Sequence, residues 1–554
     1  MLAPSVSRLR RTATGSGRAG AEASTGMAED VHRVGAAFHV AGLMGAVLLA
    51  GASRPWVVSP ALAWVAFVPT FHLVLAAAAR RRHLLAAGCG AFAALGVTSV
   101  AYEATLGLSV QAYLVVAVMA ALPFGAACGA AAFVSGRLTG GARRLAWLVL
   151  PVFWCCAELL LRQEWLSGAW APALAVIGYS QAETSAVHLA RFGSVTAVSL
   201  AVLLANALAL EAVRRGVASV RAPHGAALTA FKAALPPAAG LGLLCLIVLA
   251  AAAGAPTGAS PDGTPALSGG RGGGLRLIVV QPNLPATVRA AAAADGSLAT
   301  ELLAALAAGS RSASTETPTV AVWPEGIWPG RLTRPSTTSA SRTSLTSEQR
   351  LALSDLPPLL LGAASHDEEA GTYGNSAFAL IGGDLAHAAD KRRLVPFAEA
   401  GLAAGATPGL VELSGVTIAP VICYDVAFPA TVRAAVLGGA RLLAVMTDDT
   451  FAAGGGVPLQ HLRVARLRAV ENGVWLAFAS NGGPSAIVDP AGRIVERATP
   501  RVVSALEATV RPLPGSTPYA RYGDWVGALT CLLAVGLAAA AGRMGGGYRR
   551  SPSA

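Results

Sequence analysis

The chain has 554 residues, of which 54% are hydrophobic and 13% charged, with a mean hydropathy of +0.56 and a formal charge of +12. That balance is too apolar for an ordinary soluble protein, and the length allows two or more domains. The basic residues stand singly or in short clusters beside apolar runs, and no basic stretch is interleaved with aromatics. This excludes a nucleic-acid partner and fits cationic loops at a membrane surface.

Residues 1–33 are rich in Ala, Gly, Ser and Arg without an apolar period and read as a disordered cytoplasmic tail. The first apolar run starts too late for a cleaved signal peptide, and more runs follow it. Seven apolar segments come next, at about 35–51, 57–79, 84–101, 107–135, 145–161, 186–213 and 235–254. Most are near the roughly 20 residues that cross a bilayer core. They predict a seven-span membrane domain over 34–254. An eighth span follows at 520–543, with a short cytoplasmic tail over 544–554.

Charge predicts the orientation. Arg80, Arg81 and Arg82 follow the second span; Arg137, Arg143 and Arg144 follow the fourth; Arg214, Arg215, Arg221 and Lys232 follow the sixth. The alternate loops carry few cations. The positive-inside rule then places both termini in the cytoplasm and the block after the seventh span on the outer side.

Residues 255–274 form a Gly/Ser/Pro/Ala-rich linker. The texture then changes to short apolar strands alternating with helices, over 275–515. Strands are expected at Leu275–Val280, Thr319–Trp323, Leu359–Ala364, Ser376–Ile381, Val416–Ile422, Arg441–Met446 and Val474–Ala479, with a strand and hairpin turn over 486–492. Helices are expected near 296–308, from Ala427, and over 458–472. Residues 331–349 read as a loop. This alternation predicts an α/β domain with layered sheets.

Six of the seven cysteines lie in long apolar segments, and only Cys423 lies in the polar block. It ends a strand just before a helix. Such a corner can expose a residue on a tight turn beside backbone N–H groups, which suits a nucleophile whose product carries an oxyanion. Glu325 ends another strand. Lys391 is one of two lysines in a chain that otherwise uses arginine. Its compact ammonium can stabilise one small oxyanion where a planar guanidinium fork would not fit.

Trp323-Pro-Glu325, Lys391-Arg-Arg-Leu-Val-Pro-Phe397 with Glu399, and Ile422-Cys-Tyr-Asp-Val-Ala-Phe-Pro429 resemble the three signatures of the nitrilase, or carbon–nitrogen hydrolase, superfamily. The resemblance implies a Glu-Lys-Cys triad on an αββα sandwich. With the flanking spans, residues 35–545 are similar to the apolipoprotein N-acyltransferase family. Glu158 and Arg162 before Ser167-Gly168, Gly178-Tyr-Ser-Gln181, Gln460-His461, Ser480-Asn-Gly482 and Tyr519–Trp525 add to the likeness.

The resemblance implies that Glu325 is the general base, Cys423 the nucleophile, and Lys391 with the Tyr424 N–H the oxyanion donors. Glu399 would orient Lys391 or handle protons, and Tyr424 and Asp425 would shape the same wall. A nearby ammonium also leads to the expectation of a useful thiolate fraction near neutral pH. Implied substrates are a phospholipid acyl donor and the N-terminal amine of a diacylglyceryl-cysteine lipoprotein. Apolar loops at 400–410 and 451–457 would form a lid. The implied setting is the bacterial inner membrane, with the catalytic domain periplasmic and the enzyme monomeric.

Four departures from the family pattern stand out. Asp425 replaces a usual Glu, Thr450-Phe451 a Trp-Phe pair, and Ala290 a Trp, while 400–409 holds no aromatic. Alternatives are a membrane-anchored amidase hydrolysing a C–N bond, which would need only one anchor, a transporter or scaffold, and a degenerate paralogue. The sequence carries no metal-ligand cluster, phosphate-cradling glycine loop or cofactor motif, and no cofactor is expected.

Overall fold

The computed structural model describes residues 60–97, 110–163, 176–220, 227–254, 274–311, 317–334, 345–396, 398–450, 456–515 and 517–546. The tail 1–33, the first expected span, Ser167-Gly168, nearly all of the linker, Phe397, residues 451–455 and residues 547–554 of the last tail lie outside these ranges.

Among the described residues, helices occupy the apolar segments. A short helical entry from Pro60 leads into α1 (Val68–Ala79), followed by α2 (His83–Val97), α3 (Val110–Ser135), α4 (Ala146–Leu161), α5 (Ala190–Val220) and α6 (Ala227–Ala253). A terminal helix spans Trp525–Gly546. Among the described residues, six helices are long and apolar enough to cross a bilayer, running over Pro60–Ala79, Ala117–Ser135, Gly140–Leu161, Ser185–Val217, Leu235–Ala253 and Trp525–Met544. The chain is a polytopic α-helical membrane protein. Leu243, Leu246 and Leu249 on α6 and Leu529 and Leu532 on the terminal helix stay exposed. In water such a surface would be costly, whereas in hydrocarbon it is the expected one.

The polar block folds as two face-to-face sheets. It comprises β1 (Leu275–Gln281), α7 (Ala286–Ala294), α8 (Gly296–Ala308), β2 (Thr319–Val322), β3 (Arg331–Arg334), α9 (Ser347–Leu353), β4 (Leu359–Asp367), β5 (Thr372–Ile381) and β6 (Asp384–Asp390). It continues with β7 (Val411–Leu413), β8 (Val416–Ile422), α10 (Pro429–Leu437), β9 (Leu442–Asp448), α11 (Val457–Asn472), β10 (Trp475–Asn481), β11 (Ala486–Val488), β12 (Ile494–Arg497) and β13 (Ser504–Val510). One sheet has the order β13-β1-β2-β4-β5-β6, with β3 also paired to β4; the other runs β12-β11-β10-β9-β8-β7.

Strand alternation explains the layers. Leu277 and Val279 of β1, Leu442, Ala444 and Met446 of β9, and Ala477 and Ala479 of β10 meet between the sheets. The intervening residues point the other way. Ile278 and Val280 pack under Leu303 and Leu306 of α8, while Leu443, Val445, Leu476 and Phe478 pack under Val464 and Leu467 of α11. Strands buried on both faces read as nearly continuous apolar runs, which is why they were visible in the sequence. Pro420 sits inside β8 but beyond the Val416–Ile418 stretch that pairs with β7, where no ladder donor is needed on that side.

Several boundaries differ from the sequence expectation. The 331–349 stretch is not all loop, because Arg331–Arg334 pairs in parallel with Ala364–Asp367 and Ser347 starts a helix capped by Thr346. The helix after the cysteine starts at Pro429 rather than Ala427, since Cys423–Ala427 forms a 3-10 turn first.

The helical layer of the second sheet lies against the membrane helices, with Val195, Val198 and Ala201 of α5 in the same core cluster as Leu462 and Ala465 of α11. Near its start α5 is broken at Gly193 and Ser194, where φ is −146° and 62°. The break frees the Val195 N–H, which donates to Glu471 Oε1 of α11 at 2.9 Å, as Ser194 Oγ does at 2.8 Å. Arg468 pairs with Glu471 at 3.1 Å and donates to Tyr179 Oη at 3.1 Å. Glu158, at the end of α4, accepts from the Ile177 N–H at 3.1 Å. Arg162 donates to Thr196, which in turn donates to Asp524.

Candidate active site

Three chain segments converge on Cys423. Strand β8 ends at Ile422, and Cys423 adopts φ +50°, a left-handed conformation that a residue with a Cβ adopts only under constraint. The constraint comes from Asp425, whose carboxylate accepts from the Arg392 N–H at 3.1 Å and the Arg393 N–H at 2.7 Å. Asp425 therefore staples the cysteine turn to the segment bearing Lys391. The turn is not exposed as the sequence suggested, because Cys423 keeps only 8% of its surface.

Lys391 follows β6 directly and is 1% exposed. Its Nζ donates to Glu325 Oε1 at 2.9 Å and to Glu399 Oε1 at 2.8 Å. Glu325 lies just past β2, and Gly362 allows this because a Cβ there would come within 2.5 Å of Glu325 Cα. The other oxygen of Glu325 accepts from the Asp448 N–H at 3.0 Å, and that of Glu399 from the Val395 N–H at 2.7 Å. The Tyr424 ring packs edge-on against Phe428, with centroids 5.1 Å apart.

Residues that sequence reasoning missed complete the cluster. Asn375, in the middle of β5, donates through Nδ2 to Glu325 Oε1 at 2.6 Å and Glu399 Oε1 at 3.0 Å, so it bridges both carboxylates. Arg289 donates to Asp448 Oδ2 at 2.5 Å and to the Gly326 carbonyl at 3.1 Å, bracing the turn behind Glu325. No local signal marks either residue, since both act across a long sequence separation. A cavity of about 400 Å³ opens beside Asn375, lined also by Gly326, Arg331, Tyr373 and Leu402.

The electrostatics correct one expectation. Burial pushes the Cys423 thiol well above its ordinary range, Glu325 pushes the same way, and Lys391 only partly offsets them. The shift runs against the lowering that the neighbouring ammonium alone would give. Burial alone would lower Lys391, but the carboxylates of Glu325 and Glu399 hold it well above its usual value. Asp425 is pushed up to about 6 by burial, although Lys391 and the backbone N–H groups pull it down. A buried acid, a fixed ammonium and a thiol at a strained corner can carry out general-base-assisted nucleophilic attack.

Residues 280–511 match the carbon-nitrogen hydrolase family. The two facing sheets with outer helices and the strand-end cysteine thus define a nitrilase-like domain. Residues 45–208 match the apolipoprotein N-acyltransferase N-terminal domain. The chain thus joins a carbon–nitrogen hydrolase domain to a segment that matches this N-terminal domain.

Among curated relatives, the apolipoprotein N-acyltransferase of Pseudomonas putida is 37% identical over 135 residues, 24% of this chain and 26% of that protein. The protein of the same name from Azotobacter vinelandii is 39% identical over 129 residues, 23% and 25% of the two chains. The chain therefore spans about a quarter of the length of the curated relatives it matches. Similar solved structures include Saccharomyces cerevisiae Nit3 of the nitrilase superfamily, 19% identical, covering 43% of this chain and 91% of that one with a TM-score of 0.33. An amidase from Nesterenkonia sp. is 23% identical, covering 46% and 94%, with a TM-score of 0.32.

Proposed function

We propose that the protein transfers a fatty acyl chain from a phospholipid, through a thioester on Cys423, to the N-terminal amine of a diacylglyceryl-cysteine lipoprotein. The observation that carries this reading is the strained, buried Cys423 beside the Lys391–Glu325–Glu399 cluster, in a domain packed directly on apolar membrane helices. The names of the relatives support the same reading.

In the proposed mechanism Glu325 removes the thiol proton as Sγ attacks the donor's ester carbonyl. In this mechanism proton removal and attack go together. Lys391 Nζ spends two N–H donors on Glu325 and Glu399, leaving a third for the oxyanion together with the Tyr424 N–H. Collapse breaks the ester C–O bond, and the lysophospholipid oxygen takes the proton from Glu325. The acceptor amine then attacks the thioester, Glu325 takes its proton, and collapse forms the amide and returns the thiol. Glu399 and Asn375 keep Lys391 and Glu325 in register, and Asp425 holds the two segments together.

Both proposed substrates are membrane lipids, so a site just above the outer leaflet lets their chains stay in hydrocarbon. The arginine-rich loops support an extracytoplasmic catalytic domain on the bacterial inner membrane, with eight spans in the whole chain. The purified full chain, given phospholipid and a diacylglyceryl-cysteine peptide, should acylate the peptide amine and release one lysophospholipid per transfer. Release of free fatty acid without amine acylation would instead favour a hydrolase.

A further inference from the structure

His461, on the second turn of α11, is buried and has no part in the mechanism above. Its Nε2 lies 3.1 Å from the Cys423 carbonyl oxygen and its Nδ1 lies 3.1 Å from Asp449 Oδ1. Nε2 faces a carbonyl acceptor and so carries a hydrogen, while Nδ1 faces the Asp449 carboxylate, with the Thr447 hydroxyl 3.3 Å away. Burial opposes a charge on the ring, but Asp449 and the Cys423 carbonyl raise the His461 pKa above its ordinary value. Asp449 is buried in turn, and its other oxygen accepts from Ser480 Oγ at 2.7 Å. The Gly483 N–H donates to Ser480 Oγ at 3.1 Å, and the Phe478 ring closes edge-on over the imidazole at 5.5 Å. The chain Ser480–Asp449–His461 thus ends on one atom, the carbonyl oxygen of the nucleophile.

That carbonyl shares a peptide unit with the Tyr424 N–H. A donor on the oxygen of an amide draws charge through the group and makes its N–H a stronger donor, the more so when a carboxylate backs that donor. It also fixes the plane of the peptide, here at a cysteine whose φ of +50° needs holding. We propose that His461 and Asp449 are positioning residues that polarise and orient the Cys423–Tyr424 peptide, so that its N–H is set for the oxyanion formed on Cys423. The inference deepens the acyl-transfer reading and rests on it.

The test separates attack with an oxyanion from attack without one. Acylation of Cys423 by phospholipid passes through a tetrahedral oxyanion, whereas alkylation by iodoacetamide does not, though both need the sulfur deprotonated and accessible. His461→Phe keeps a ring but deletes the Nε2–H donor. Asp449→Asn keeps the Nε2–H bond to Cys423, because its amide donates to Nδ1, but removes the charge. Full-chain protein in detergent should acylate about a hundredfold more slowly in His461→Phe and about tenfold more slowly in Asp449→Asn, below or within the loss for one whole oxyanion donor. Iodoacetamide should alkylate Cys423 within about threefold of the wild-type rate in both, since that reaction makes no demand on oxyanion donors.

Acylation at the wild-type rate in either variant overturns the proposal. So does a parallel fall in alkylation, which would mark a structural role only. Should His461→Phe fail to fold, Asp449→Asn decides alone. Failure of the wild-type chain to acylate Cys423 at all would instead sink the acyl-transfer reading.

Discussion

Two of the buried clusters of charge among the described residues are built differently. At the joint between the domains, Glu471, Arg468, Tyr179 and Ser194 share hydrogen bonds around a broken helix, and the charges of Glu471 and Arg468 face each other. At the candidate site, two carboxylates converge on one ammonium, and a buried thiol sits at a strained turn. Both contain buried ions, so burial of charge does not by itself mark a functional site. What separates them is surplus. The joint satisfies a broken backbone, whereas the site keeps a nucleophile, and a cavity opens at Asn375, which holds its two carboxylates.

Substitutions should break this contrast cleanly. The largest effect is expected for Cys423→Ala, which should abolish transfer in a peptide-acylation assay while leaving thermal unfolding in detergent near wild type. Lys391→Ala should slow acylation on the order of 10²–10³-fold, as expected for a lost oxyanion donor. It also leaves Glu325 and Glu399 facing each other, so Lys391→Arg is the companion variant. It should stay folded yet remain slow, because a planar fork cannot replace a point charge.

The joint should respond oppositely. Glu471→Gln leaves Arg468 buried with a neutral partner and should cost about 3–5 kcal/mol of stability, read by unfolding midpoint. Acylation per folded molecule should stay within about twofold. A larger loss of rate than of stability would show that the joint also sets the chemistry.

A smaller effect concerns pH. Asp425 rises from 3.8 to about 6 in the folded protein, so the native state holds a proton that the unfolded chain has lost. Its contribution to stability is full below about pH 4 and is lost as pH rises through about 6, amounting to about 3 kcal/mol at most. Asp425→Asn should flatten that slope, measured as unfolding midpoints from pH 4 to 7. An unchanged slope would place the titration elsewhere.

Much of this contrast was legible in the sequence. Strand-end positions announced Glu325 and Cys423, lysine scarcity announced Lys391, and length with hydropathy announced the membrane helices. The hidden parts share one physical property, that they depend on tertiary distance. Asn375 sits inside a strand 50 residues from Glu325, and His461 reaches Cys423 from a helix 38 residues on. The thiol's raised pKa was misjudged for the same reason, since a neighbouring lysine can be read from a motif but burial cannot. In the sequence Glu158 and Arg162 belong to the family likeness. The structure places them at the joint, where they bind a turn and a neighbouring helix.

The central claim is that Cys423 carries the acyl group between two lipids. Intact-protein mass spectrometry of the full chain after incubation with phospholipid alone tests it most directly. One fatty acyl adduct should appear on Cys423, cleave with hydroxylamine as a thioester does, and vanish when a diacylglyceryl-cysteine peptide is added. Amine acylation that proceeds with Cys423 never modified would contradict the account.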